Sequence, residues 1–319
     1  MHIVRNCTPK DIESAARTLI EGKLIAFPTE TVYGLGADAE NSEAVKKIYE
    51  IKGRPSNHPL IVHISSLDLM EYWATNIPDY AWKLAKKFWP GPLTLILKRS
   101  NNAKNFITGN QDTVGLRIPN HPIALKLLRK YEELGGKGVS APSANRFGAV
   151  SPTSAEDVFE ELSMFDCHNV AILDGGKCKI GIESTILDLF SPEKKVLRPG
   201  AIVLKNPKSS KKQKDIDLIN FPRVSGNFTK HYAPKSQVKI NEIPKRGEGL
   251  IALNFIPTPE NAVRLASPIN CFHFANQFYS ALRLADYLNL TAVCIFLPKK
   301  GDLAEAIKDR ALQASRGKV

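Results

Sequence analysis

Cysteine is scarce in this chain of 319 residues, and the five that occur do not pair up. Cys7, Cys167, Cys178, Cys271 and Cys294 lie far apart, and no Cys-x-x-Cys motif is present. Dispersed thiols in odd number, with no apolar signal core at the start, predict reduced cysteine in a cytoplasmic protein without structural zinc. Long apolar runs are missing too. None approaches the roughly 20 residues needed to cross a bilayer, so no membrane partner is expected. There is no Gly-x4-Gly-Lys-Ser/Thr loop, no Gly-x-Ser-x-Gly elbow and no His-Glu-x-x-His pair. Those absences exclude a P-loop nucleotide site, an elbow-type hydrolase and a zincin. A Ser-His-Asp hydrolase built from Ser184 with His63 or His231 has no local support. Acidic residues are in deficit, 32 against 44 basic, for a net charge of +12. That balance favours anionic partners such as a nucleotide, pyrophosphate or RNA, and it is equally compatible with solvated lysines.

Chemistry is concentrated in one stretch, Leu24 to Arg54. The apolar run Leu24 to Phe27 reads as a buried strand that Pro28 stops. Thr29, Glu30, Thr31 and Tyr33 then fall on an expected loop, where Gly34 and Gly36 let backbone approach a ligand. Asn41 and Ser42 cap a helix carrying Ala44, Val45, Ile48 and Tyr49 at helical spacing, and Gly53 with Pro55 ends it. Lys52 and Arg54 flank that glycine. Alone, they read equally as a charge pair at a helix C-terminus, where the dipole favours cations.

Elsewhere, residues 8 to 21 read as a helix over the sheet, and Leu60 to Ile64 as a strand that His63 interrupts. Residues 78 to 88 and His121 to Tyr131 are further helices; LTLILK, Thr113 to Ile118, Val139-Ser140, Val170 to Asp174 and Glu183 to Leu189 are strands. Arg117 sits in an apolar strand and must find an anion or a salt bridge, since an unpaired buried guanidinium is costly. His63 reads as a core histidine or a site residue. The segment SAPSAN, Ser140 to Asn145, is rich in short donors suited to phosphate, or is a turn before a capping box at Thr153 to Glu156.

Six pieces, PTETVYGLG, KGRPSNHPLIVH, TVGLRIP, SAPSAN, ESTI and RPG, occur in that order over about residues 10 to 205. Together they resemble the YrdC-like family of threonylcarbamoyl-AMP synthases. The later HYAP, His231 to Pro234, is similar to the long two-domain branch. The resemblance implies an α/β catalytic domain (1–205) on a large twisted mixed sheet and a linker (206–235) containing the lysine-rich NPKSSKKQK and HYAP. A small Rossmann-like α/β domain (236–319) follows, in which strand and helix alternate without a Gly-x-Gly-x-x-Gly turn.

The implied enzyme is a nucleotidyltransferase that joins L-threonine, bicarbonate or carbon dioxide, and ATP into threonylcarbamoyl-AMP, with magnesium carried on the phosphates. A separate transferase then modifies tRNA beside the anticodon. Carried over by motif, Lys52, Arg54, Thr113, Ser143 and Arg198 bind the phosphates, with Lys52 and Arg54 catalytic. Pro142 and Asn145 shape the same ATP loop, and Tyr232 covers the nucleotide. Arg117 takes the threonine carboxylate among Thr31, His63, Ser140 and Ser184. Two departures stand out: His58, counted with the ATP-binding residues, occupies the usual asparagine position of an Asn-Pro-Leu piece, so that an imidazole makes the nucleotide contact in place of an amide, and Val224 to Asn227 replaces a Ser-Pro-Gly-Met piece. The alternative is a non-catalytic RNA-binding module, in which the basic excess contacts tRNA directly.

Overall fold

The computed structural model describes residues 1–163, 170–204, 221–226 and 232–317. Its larger sheet has ten strands: β1 (His2–Val4), β2 (Ile25–Phe27), β3 (Gly34–Asp38), β4 (Ile61–His63), β5 (Leu93–Lys98), β6 (Thr113–Arg117), β7 (Val139–Ser140), β8 (Ala171–Leu173), β9 (Thr185–Asp188) and β10 (Lys195–Arg198). Their order across the sheet is β1-β8-β2-β3-β7-β4-β6-β5-β9-β10. Pairing is mixed, as the family resemblance implies: β4 runs parallel to β6 and β5 to β9, whereas β2–β3, β3–β7 and β5–β6 are antiparallel.

Alternation along β2 decides how the layers form. Ile25 and Phe27 face a core that includes Ile12, Leu19, Leu127 and Tyr131. Leu24 and Ala26 face the opposite core with Val45, Ile48, Val62 and Leu116. A strand buried on both faces needs such an unbroken apolar run. The first core is covered by helix Pro9–Ile20, which starts at a Thr8–Asp11 capping box and lays Ile12, Ala15, Ala16 and Leu19 inward. Helix Pro122–Glu133 lies beside it. On the other face, helix Ser42–Lys52 begins where Asn41 accepts from the Ala44 N–H and ends at Gly53, left-handed at φ 59°.

The region after Thr31 differs from the expected loop, because Gly34–Asp38 is strand β3, hairpinned to β2. Its glycines conceal the strand in sequence, and packing requires at least one of them. A Cβ on Gly36 would lie 2.8 Å from both the Phe27 ring and Val139. Thr29 ties the hairpin turn, its hydroxyl accepting from the N–H groups of Thr31 and Val32.

The second sheet is parallel throughout, ordered β11 (Gln237–Ile240), β14 (Ala292–Ile295), β12 (Gly249–Ile251), β13 (Val263–Ala266). Helices Cys271–Tyr287 and Ala304–Ser315 complete the expected small α/β unit. Strand β13 escapes the sequence reading, since Arg264 breaks its short apolar pattern; the guanidinium is spent on the carbonyls of Ala252, Leu253, Ile256 and Ala266. The core of this unit is not self-contained: Val32, Val150 and Ile182 of the first unit belong to it. Among the described residues no helix is long and apolar enough to cross a membrane.

Candidate active site at the junction of the two units

Strand ends carry the functional side chains to one cleft. His63 closes β4 and Arg117 closes β6, in register as neighbours in a parallel pair, so both side chains leave the sheet on the same face. Glu183 and Ser184 immediately precede β9, and Arg198 ends β10. The β2–β3 turn brings Thr29 to Thr31 against them. Thr31, Arg54, His63 and Arg117 line a cleft with about 540 Å³ of empty space, part of it open to solvent. Pro142, Ser143, Ser184, Arg198 and Tyr232 line the same cleft.

Arg117 resolves the dilemma of a charge in an apolar strand by pairing. Its Nη2 lies 2.8 Å from Glu30 Oε1 and donates to Thr31 Oγ1 at 3.0 Å, while Nε donates to the Gly91 carbonyl. The other Glu30 oxygen accepts from the Asn120 N–H. Arginine and carboxylate are both almost fully buried, so loss of either would strand a charge at a cost of about 3–5 kcal/mol. Beside Arg117, the His63 ring meets Phe27 edge-on and its Nδ1 has no hydrogen-bond partner among the described residues. Burial, reinforced by Arg117, pushes the imidazole pKa down to about 3, which leaves it neutral near pH 7.

On the other side of the cleft the arginines are hydrogen-bonded to neutral groups. Arg54 Nη2 donates to the Pro59 carbonyl (2.9 Å) and to Ser225 Oγ (3.0 Å). Arg198 donates through Nε and Nη2 to the Ser184 carbonyl and Oγ, and through Nη1 to the Ser225 carbonyl at 3.0 Å. Ser225, from the segment preceding residue 227, thus stands between two arginines. Lys52 is buried one layer behind the cleft; its ammonium donates to the carbonyls of Ser143 (2.6 Å) and Asn145. Burial lowers the pKa of all three cations, and Arg54 further lowers that of Lys52 and Arg198 that of Arg54. Buried cations that depress one another form a site that an anion would relieve.

Five sequence-derived residues do not line this cleft. Lys52 and Asn145 brace the SAPSAN loop from behind, Asn145 through its Nδ2 on the Arg146 and Ala149 carbonyls. Ser140 lies under the floor in β7. His58 is buried with its ring against Phe147, and burial, followed by Arg54 and Arg223, pushes its pKa down to about 4. Thr113 lines an adjoining cavity with Arg223 and Val224, and the two cavities meet at Ile61 and Ser225.

Tyr232 reaches the cleft from the second unit's side, left-handed at φ 61° and buried. Its ring stacks on Tyr279 at 5.7 Å and lies 5.2 Å from the Arg310 guanidinium carbon. His231, Asn227, Cys167 and the lysine-rich stretch 206–214 lie outside the described residues. Sequence reasoning named neither Glu30 nor Glu183 as a site residue, although PTET and ESTI contain them. Ser225 falls within the departing piece Val224 to Asn227. Arg310 and Tyr279 carry no sequence signal, because each sits in an ordinary amphipathic helix. Among the described residues no three His, Cys, Asp or Glu side chains cluster as metal ligands. The carboxylates nearest the cleft, Glu30 and Glu183, are already engaged by Arg117 and Arg310.

Two family profiles match the chain. Sua5–YciO–YrdC, described as telomere recombination, covers residues 17–200, and the threonylcarbamoyl-AMP synthase C-terminal domain covers 194–315. Among curated relatives, the threonylcarbamoyl-AMP synthase of Pyrococcus abyssi is 45% identical over 244 residues, 73% of this chain and 68% of that protein. The Bacillus subtilis protein of the same name is 43% identical over 247 residues, 75% and 69% of the two chains. A crystal structure of P. abyssi Sua5 complexed with L-threonine superposes with a TM-score of 0.81 at 34% identity, covering 99% of this chain and 97% of the other.

Proposed function

This chain belongs to the Sua5–YciO–YrdC family in its two-domain form, and on that premise we infer that it is a threonylcarbamoyl-AMP synthase. It is a nucleotidyltransferase acting in tRNA modification. L-Threonine, bicarbonate or carbon dioxide, and ATP enter; threonylcarbamoyl-AMP and pyrophosphate leave. The observation that carries this reading is the two-sided cleft, in which one arginine is held by a carboxylate and two others are held by neutral groups.

Arg117 offers the threonine carboxylate a planar fork already oriented by Glu30, with the hydroxyls of Thr31 and Ser184 at hand for the amino acid. The neutral His63 beside it presents an acceptor to the amino group, which shares a carbon with that carboxylate. The threonine amine first adds to carbon dioxide and loses a proton to become a carbamate; a carbamate oxygen then attacks the α-phosphorus of ATP, and the phosphorus–oxygen bond to pyrophosphate breaks. Arg54, Arg198 and Ser143 face the phosphates, so charge building on the leaving group meets fixed cations. Lys52 acts from behind, holding the Ser143 and Asn145 carbonyls so that the loop keeps its shape. Tyr232 covers the cleft and limits the access of water to the labile carbamate. Magnesium belongs to the nucleotide here, arriving on its phosphates. The product passes to a transferase that modifies tRNA next to the anticodon, in the cytoplasm. The RNA-binding alternative has only the basic excess behind it.

Mass spectrometry of the protein with ATP, L-threonine and 13C-bicarbonate tests the reading. The expected result is a labelled threonylcarbamoyl adenylate equimolar with pyrophosphate. Tight, salt-dependent tRNA binding with no adenylate would overturn it in favour of an RNA-binding module.

A further inference from the structure

One guanidinium of the second unit grips two backbone segments of the first, and each segment carries a cleft side chain. Arg310, on helix Ala304–Ser315, is fully buried. Its Nε donates to Glu183 Oε2 at 2.8 Å and its Nη2 to the Pro199 carbonyl at 3.0 Å. Glu183 immediately precedes Ser184, and Pro199 immediately follows Arg198. Ser184 and Arg198 are themselves joined by two hydrogen bonds, of 3.0 and 3.1 Å. Tyr279 donates to the same Glu183 carboxylate, as does Ser151. The guanidinium carbon lies over the Tyr232 ring, 5.2 Å from its centroid.

We propose that Arg310 is a positioning residue for the adenylation site: through Glu183 and Pro199 it fixes Ser184 and Arg198, and through its cation–ring contact it seats Tyr232. The second unit is thereby part of the catalytic apparatus, although Arg310 itself touches no substrate. The inference rests on the synthase reading above. Arginine suits the task because a planar fork reaches a carboxylate and a carbonyl at once while its face packs against a ring; a lysine ammonium cannot do all three. Burial alone would push the Glu183 carboxyl up, yet Arg310 and Arg198 outweigh it and hold the pKa down to about 2. The charge pair therefore persists at any working pH.

A purely adhesive Arg310 would behave like another residue that crosses the same junction. Arg283 supplies that comparison: it pairs with Glu161 at 3.2 Å and donates to the Val150 carbonyl, and among the described residues it makes no direct hydrogen bond to Glu183, Ser184, Arg198 or Pro199. Full-length wild type, Arg310→Met, Arg310→Lys, Tyr279→Phe and Arg283→Met are to be compared for KM of ATP, KM of threonine, kcat, pyrophosphate released per adenylate, and Tm. Small displacements of reacting groups are costly, so Arg310→Met is expected to lose about tenfold or more in kcat/KM for ATP and to release surplus pyrophosphate. Arg310→Lys should fall between it and wild type, and Arg283→Met should lower Tm yet keep kcat/KM within about twofold.

Equal kinetics for Arg310→Met and Arg283→Met would overturn the proposal. Should Arg310→Met fail to fold by circular dichroism, Tyr279→Phe decides: a several-fold fall in kcat at near-normal Tm supports positioning, and unchanged kinetics refutes it. Should wild type make no adenylate, the synthase reading fails by itself. ATP titration of wild type against Arg310→Met would then judge the effect on Arg198 separately, with weaker binding expected and equal binding overturning it.

Discussion

The two sides of the cleft are built on different principles. On the threonine side, Arg117 and His63 are neighbours on parallel strands, and the partner of Arg117, Glu30, belongs to the adjacent hairpin turn. Arg117, His63 and Glu30 all come from the first unit. On the nucleotide side, Arg54 and Arg198 donate to carbonyls and hydroxyls, and Ser225 of the connecting segment serves both. A formal ion pair makes one cation rigid, whereas neutral acceptors leave the others ready to exchange partners for phosphate oxygens at little cost. The amino-acid side is thus prebuilt, and the nucleotide side is completed by what binds.

The sharpest way to break this contrast is Arg117→Lys. An ammonium cannot reproduce the fork shared with Glu30, so threonine use should fall by about a hundredfold while ATP binding changes little. Separate titrations of the two substrates check it, and comparable losses would place Arg117 on the phosphates. Lys52→Ala should act in the opposite sense. With the Ser143 and Asn145 carbonyls released and a cation removed, ATP affinity should drop by about tenfold and threonine affinity much less; an unchanged ATP titration would contradict the assignment. Tyr232→Ala is expected to be milder, with adenylate still formed and about twofold to fivefold more ATP hydrolysed or released per product.

Acid separates the two sides more gently. The folded-state pKa of His63 lies at about 3, below its ordinary 6.5. The unfolded chain therefore binds the proton first, and stability begins to fall as pH drops through 6.5 and continues to fall toward 3. Glu183 is also depressed, from 4.5 to about 2, so its contribution is intact above pH 4.5 and is lost between there and 2. Melting curves against pH should show His63→Gln flattening the upper window and Glu183→Gln the lower one. Identical profiles for the two variants would deny that the sites are separately built.

The elements that sequence could announce were those with punctuation or anomaly. Helix Ser42–Lys52 is readable because Asn41 caps it and Gly53 stops it. Arg117 and His63 are conspicuous as polar side chains in apolar strands. Strand β3 is hidden, because Gly34 and Gly36 look like loop residues until the close approach of Phe27 and Val139 is known. Arg310 is hidden for a different reason: on a helix Ala304–Ser315 read alone, an arginine is indistinguishable from a solvated cation, and only the docking of another unit buries it. Glu30 and Glu183 lie within motifs, but their roles depend on arginines 87 and 127 residues away in the chain.

Val32, Val150 and Ile182 have a consequence for modularity. These three apolar side chains, contributed by the first unit, pack into the hydrophobic core of the second. Neither unit has a finished surface of its own, so calorimetry of the intact chain should record one melting transition rather than two. A first unit expressed alone would carry a greasy scar beside the Thr29 to Thr31 turn, and would need polar replacements there to remain monodisperse in concentrated solution.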